Sequence, residues 1–152
     1  MNYTEIGSGD LLATAKELRE AGYRLVQMNC SNPSHFEVIY AFDKGLELKL
    51  YKIVMQERIT LPSITDFFPG AFLYENEIFE LFGVPFKGIS IDYKGRLYAS
   101  AMPEPFTKAS MEAAKAKRIE KEAAELAAKT AEKKTIVEAA RAAAQQAMLG
   151  GE

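Results

Sequence analysis

Three glutamates, Glu75, Glu77 and Glu80, fall close together in the stretch from Ile64 to Gly83. Paired carboxylates are what general acid–base or glycosidic chemistry requires, provided they face each other across a cleft. At this spacing Glu77 and Glu80 fall on adjacent turns of one helix, which crowds them instead of opposing them. In a dry interface one of the two would have a raised pKa or would meet an arginine from a neighbour; on a solvated face neither would happen. The pattern of residues leaves both readings open. No histidine, cysteine or lysine lies in the stretch to complete a catalytic set.

The remaining reactive residues offer less. His35 and Cys30 lie outside any metal-ligand spacing, and a third group to orient a Cys–His pair is missing from the sequence pattern. His35 reads as a surface or strand-edge residue and Cys30 as a small apolar one. Gly83, Gly88 and Gly95 are too dispersed for a phosphate loop, and Gly7-Ser8-Gly9 precedes a helix without a preceding strand. Phe67, Phe68, Phe72 and Phe79 supply more aromatic mass than a small core easily hides, so some belong to an interface.

Any such groups must be positioned by a domain of about 105 residues, because the composition changes at Lys108. Of the 41 residues from Lys108 to Met148, 15 are alanine, and neither glycine nor proline interrupts them. The head, 1–107, carries 10 Lys and Arg against 14 Asp and Glu; the tail, 108–152, carries 9 against 7. That balance offers no concentrated basic face for nucleic acid. One cysteine rules out an internal disulfide framework. No stretch is apolar enough to span a membrane, and the N-terminus shows no secretion signal, so cytoplasmic residence is the expectation.

Leu11, Leu12, Ala15 and Leu18 predict a helix over Asp10–Ala21, capped by Asp10 and stopped by Gly22. Strands are predicted over Tyr23–Asn29, Phe36–Phe42 and Leu46–Val54, with turns at Ser31-Asn32-Pro33 and Asp43-Lys44-Gly45. In the third strand Leu46, Leu48 and Leu50 share one face, which a helix laid across the sheet would bury. Pro62 and Ser63 open a short predicted helix ending at Pro69-Gly70. A second runs from Ala71 or Phe72 to Phe82, with Gly83 as a left-handed cap and Tyr74, Ile78, Leu81 and Phe82 as its apolar stripe. Residues 84–98 read as turn-rich, and Met102–Phe106 as a linker.

The fold class expected is therefore α+β: a small, largely antiparallel sheet with packed helices, followed by one long alanine-rich helix of about 60 Å. Ile119 and Leu126 make one heptad step along that helix, but Lys133 breaks the seam. Docking along a partner, with Ile119, Leu126 and Val137 as contacts, is favoured over a solvated rod.

The segment Leu61–Gly83 resembles the signature region of the 30 kDa subunit of respiratory complex I. Pro62, Ser63, Thr65, Asp66, Pro69, Gly70, Ala71, Glu75, Glu77, Glu80 and Gly83 match it in order. Asn76 replaces the family's arginine, and Gly88-Ile-Ser-Ile-Asp92 with Lys94-Gly-Arg96 stands where a histidine-proline segment and paired arginines usually follow. The shortened version is similar to the small D subunit of Ech-type membrane-bound, energy-converting nickel-iron hydrogenases, with the C subunit of complex I or of a related membrane-bound oxidoreductase as the alternative. The resemblance implies a cofactor-free, non-catalytic subunit on the cytoplasmic side of the membrane. It also implies a nickel-iron large subunit and a small iron-sulfur subunit as partners, with a ferredoxin-like subunit as a further candidate. Membrane association would be indirect, through the complex. On this reading Asp66, Phe68, Phe72, Glu75, Glu77 and Glu80 are interface residues of the head, and the glutamates pair with basic groups or backbone amides of the partner.

Overall fold

The computed structural model describes residues 2–32, 34–98 and 100–149, with side chains through 131 and at 133–134. The chain divides into two units, Met1–Met111 and Glu112–Glu152. The first is an α+β domain built on a four-stranded mixed sheet of order β1-β4-β3-β2.

α1 (Leu11–Glu20) forms as its periodicity predicts, burying Leu11, Ala15 and Leu18 on one face. Asp10 holds the cap position through its backbone, receiving Thr14 N at 2.9 Å, but its side chain makes no capping bond. At the other end Gly22 takes φ +82°, Gly22 N donates to Arg19 O and Tyr23 N donates to Leu18 O. That paired return closes the last turn and brings Tyr23 beside Leu18 in the core.

A two-residue strand, β1 (Thr4–Glu5), pairs parallel with β4 (Glu47–Met55). β2 (Arg24–Ser31) and β3 (Phe36–Lys44) are antiparallel, as are β3 and β4. Between β3 and β4 the turn residues are Gly45 and Leu46, both with positive φ, and Lys44 faces Glu47 across it. This is the geometry a two-residue hairpin of right-handed twist requires. It lies one residue later than Asp43-Lys44-Gly45 and leaves Leu46 wholly exposed at the tip.

The register corrects the expected core face of β4. Phe36 pairs with Met55, Val38 with Ile53 and Tyr40 with Tyr51, so the strand's odd positions share the buried face of β3. Ile53 and Met55 are buried, while Leu48 is 54% exposed. Leu48 and Leu50 instead join Tyr3, Val26, Ile39 and Ala41 around a shallow cavity of about 290 Å³ on the other face.

The predicted helix from Pro62 to Phe67 is absent. Leu61–Pro62 is a short strand, β5, parallel to β6 (Phe86–Lys87), with Leu61 N donating to Pro85 O and Ser63 N to Lys87 O. A turn follows in which Phe67 N and Phe68 N both donate to Ile64 O. α2 (Ala71–Phe82) then packs on β2, and its Tyr74 hydroxyl reaches Val26 O at 3.1 Å, beside a register shift in that edge strand. Tyr40, Phe42, Ile53, Leu61, Ile64 and Val84 are completely or almost completely buried around these elements. Each side chain of this size contributes about 1.5–3 kcal/mol by leaving water.

Met102–Phe106 is folded back onto the domain instead of running free. Phe106 N donates to Leu81 O at 3.0 Å, the Phe106 ring meets Phe82 edge-on at 5.7 Å, and Glu104 pairs with Arg58 at 2.6 Å. That ion pair lies directly over Gly83, whose φ is +71°; a Cβ there would collide with the Arg58 guanidinium and the Glu104 carboxylate. Both side chains can swing away, and the pair is half exposed and worth under about 1 kcal/mol, so the backbone sets the penalty. Gly83→Ala is expected to lower stability by about 1–2 kcal/mol through the left-handed conformation alone. A urea midpoint shift of that size at unchanged slope is the check.

Thr107 caps α3 (Lys108–Leu149), with Ser110 N donating to its Oγ1 at 3.3 Å. Within the second unit Arg118 pairs with Glu122 and Lys121 with Glu125, each one helical turn apart. Ile119 and Leu126 are about two-thirds exposed. The side chain of Val137 lies outside the described residues. Among those residues, no helix is long and apolar enough to cross a membrane.

Candidate functional site

α2 carries the residues singled out from the sequence, and it acts as a hub for the segments around it. Glu75, Asn76 and Glu80 each hold a different stretch of backbone.

Glu75 is fully buried. Ser63 Oγ donates to its Oε2 at 2.7 Å and Ile64 N to its Oε1 at 2.9 Å. Ser63 also bonds Thr65 Oγ1, which accepts from Ser90 N, so the carboxylate anchors a chain of polar groups running to the 88–90 segment. Burial pushes the Glu75 pKa up, against the lowering effect of the two donors. The same core holds Cys30, whose thiol burial pushes up to about 12, and Tyr40, whose hydroxyl finds no hydrogen-bond partner among the described residues. Those values make Cys30 an inert core residue.

Asn76, where the resemblance leads one to expect arginine, is also buried. Its Nδ2 donates to Phe72 O and Ile91 O, both at 2.7 Å, and its Oδ1 accepts from Tyr93 N at 2.7 Å. One amide orientation satisfies all three bonds. Asn76 thus fixes the segment that stands in place of the family's histidine and arginines.

Glu80 faces a third segment. It accepts from Leu97 N at 2.6 Å, from Tyr98 N at 3.0 Å, and from Ser100 N and Oγ at 3.2 Å each. Little of it touches water. Desolvation pushes its pKa up, but the backbone donors outweigh that and hold it below the ordinary 4.5. Glu77, two turns from Pro69-Gly70 and half-buried, lies beside the Tyr98 side chain. The charge of Glu77, followed by desolvation, raises the Tyr98 pKa. Tyr98 therefore touches both carboxylates, Glu80 with its backbone and Glu77 with its phenol.

Two neighbouring glutamates on α2 thus respond to pH in opposite senses. A carboxyl with a depressed folded pKa stabilises above its unfolded value, and that stability is lost as pH falls through the folded pKa. A raised one stabilises fully below the unfolded value, and that stability is lost as pH rises towards the folded pKa. Relative to the parent, Glu80→Gln is expected to be most destabilised at neutral pH and to approach parity in acid below 4.5. Glu75→Gln is expected to gain on the parent as pH rises above 4.5. Thermal melts of the three proteins across pH 3 to 7 measure both slopes.

The expected interface residues of the head differ in exposure. Glu75 and Glu80 do meet hydroxyls and backbone amides, but those of their own chain, and neither is on the surface. Phe68 is buried too, its ring 5.1 Å from that of Phe42. Asp66 is exposed, and Phe72 and Glu77 are half-buried. Phe72 stacks against Tyr93 at 6.3 Å. Phe79, one of the four aromatics singled out from the sequence, is 38% exposed, and around α2 the structure adds Leu73, Ile91, Tyr93 and Tyr98, between 40% and 56% exposed, which sequence patterning missed. His35 lies at the start of β3, its Nε2 3.0 Å from Glu37 Oε1, in a small polar cluster with Ser34 and Lys52. Among the described residues, no three His, Cys, Asp or Glu side chains gather closely enough to share a metal ion.

A mixed sheet backed by helices, with α2 bonded to its own loops, defines an α+β domain. The chain belongs to the family of the 30 kDa subunit of respiratory-chain NADH dehydrogenase, whose model matches residues 4–111. It is 38% identical over 61 residues to the NADH-quinone oxidoreductase C subunit of Mesorhizobium japonicum, covering 38% of this chain and 30% of that protein. To the NADH-quinone oxidoreductase C/D subunit of Buchnera aphidicola it is 35% identical over 57 residues, 36% of this chain and 10% of the relative. The matches thus span a minor part of these relatives' length. Among solved structures, a chain in the membrane-bound sulfane sulfur reductase, an archaeal respiratory membrane complex, superposes with a TM-score of 0.61 at 17% identity. That superposition covers 70% of this chain and 69% of the other, and shows a common fold.

Proposed function

We propose that this chain is a non-catalytic structural subunit of a membrane-bound, energy-converting nickel-iron hydrogenase of the Ech type. It would support a nickel-iron large subunit and a small iron-sulfur subunit on the cytoplasmic side, with a ferredoxin-like subunit as a further neighbour. In such a complex hydrogen and ferredoxin exchange electrons and the reaction is coupled to ion translocation; the metals belong to the partners. The head, 1–107, would make the main contact through Asp66, Phe72 and Glu77. The tail, 108–152, would lie along the assembly through Ile119, Leu126 and Val137.

One observation carries this reading within the family. The segment after Gly83 lacks the family's histidine and arginines, and Asn76 and Glu80 tie its backbone down as a short, self-contained loop. The chain is built around the replacement, in keeping with the shortened hydrogenase version. The names of the curated relatives favour a second reading, the C subunit of an NADH-quinone oxidoreductase.

Affinity purification of the tagged full-length chain from its own cells in mild detergent separates the two. Stoichiometric recovery of a nickel-containing large subunit with hydrogen-evolving activity is the expected result. Recovery with NADH-oxidising subunits would establish the alternative, and a monomer without partners would overturn both.

A further inference from the structure

We propose that the groove between the end of α1, the start of β2 and α2 receives an apolar segment of a partner subunit. That segment brings a basic side chain to Glu77 and a carboxylate to Arg19. The inference rests on the chain being a subunit of a larger assembly and specifies how one contact of the head is made.

The groove encloses about 600 Å³. Leu25, Phe68, Leu73 and Tyr98 give it an apolar lining, with arginines on the α1–β2 side and Glu77 on the α2 side. Arg24 is already paired with Asp43, at 3.0 Å from Nε to Oδ2. Arg19 and Glu77 differ: among the described residues neither has an ion-pair partner, and Glu77 has the Tyr98 phenol beside it. A wholly apolar occupant would strip water from Glu77 without compensation, which offsets the gain from covering the lining. An occupant with a cation on one flank turns the same carboxylate into an anchor, and a carboxylate on the other flank does so for Arg19. A cavity of this volume holds a few side chains, which suits one protruding segment of a neighbour rather than a broad face of a second copy.

The test uses the intact complex. A benzophenone amino acid replaces Leu73, which is 47% exposed and on the groove wall. The complex is irradiated and the cross-linked peptide sequenced, with the same probe at Leu48 on the open sheet face as the comparison. The proposal expects one dominant partner peptide at Leu73 that contains both a basic and an acidic residue near an apolar one. Glu77→Lys is then expected to speed dissociation of the subunit at least about tenfold, with recovery when the basic residue of the cross-linked peptide is changed to Glu. Glu77→Gln, which keeps the shape, should show a smaller loss at an unchanged melting temperature. A cross-link to a second copy, no cross-link at Leu73 in an intact complex, or no recovery in the charge swap would each overturn the groove assignment and leave the subunit reading standing. Failure of the unmodified chain to assemble with any partner would overturn the subunit reading itself, and the groove assignment with it.

Discussion

Replacing Glu75 by alanine is expected to remove about 3–5 kcal/mol of folding stability, out of roughly 5–15 for a domain of this kind. The Ile64 amide would be left in the core without an acceptor, the Ser63 hydroxyl would keep only Thr65 Oγ1, and an orphaned buried donor costs about 1–3 kcal/mol. The empty volume adds a packing loss. Glu75→Gln keeps an oxygen for Ile64 N and presents an amide that the Ser63 hydroxyl can accept from, so a loss of about 1 kcal/mol is expected. Urea unfolding of the two variants side by side is the measurement. Equal losses would show that burial alone, and not the paired donors, fixes the role of this residue.

The second large effect is expected at Asn76. Asn76→Asp is nearly isosteric, yet it exchanges a donor for an acceptor against two carbonyl oxygens, Phe72 O and Ile91 O, each at 2.7 Å. A buried carboxylate facing carbonyls without a cation is expected to cost about 3–5 kcal/mol at neutral pH. Protonation restores a donor, so the new carboxyl must have a raised folded pKa. Its penalty grows as pH rises above the unfolded value of about 3.9 and shrinks in acid. Asn76→Ala, which deletes the bonds without adding charge, should lose about 2–3 kcal/mol with little dependence on pH. Melting temperatures from pH 3 to 7 discriminate the two. A pH-independent Asp variant would mean that the loop opens to water instead of holding the charge.

Local periodicity carried much of the fold. The spacing of Leu11, Ala15 and Leu18, the glycines Gly22 and Gly83 that end the two helices and the existence of β2, β3 and β4 are set largely by near neighbours, and they read correctly. Failures arose where the deciding partner is remote. Leu48 and Leu50 look more like core than Tyr51 and Ile53 do, but the pairing of β4 with β3 turns the odd positions inward. Leu61–Pro62 is a strand only because Phe86–Lys87 returns beside it. The candidate site shows the same limit. A glutamate at helical spacing looks identical whether its acceptor oxygens meet solvent, a partner or, as for Glu75 and Glu80, backbone 11 to 20 residues away. The resemblance located the right helix, while the direction in which each side chain faces required the fold.

The bracing by α2 also bears on how the domain breathes. The amides of Ile64, Tyr93, Leu97, Tyr98 and Ser100 come from separate stretches of sequence, and most lie in loops with no ladder to protect them. All are bound to side chains of one helix, so none can be released for long unless its carboxylate or amide partner moves. Deuterium uptake at these five positions should therefore slow together when the helix is held and quicken together when it loosens, as one cooperative opening unit. A loop surface that is individually irregular thus inherits the persistence of a single regular element.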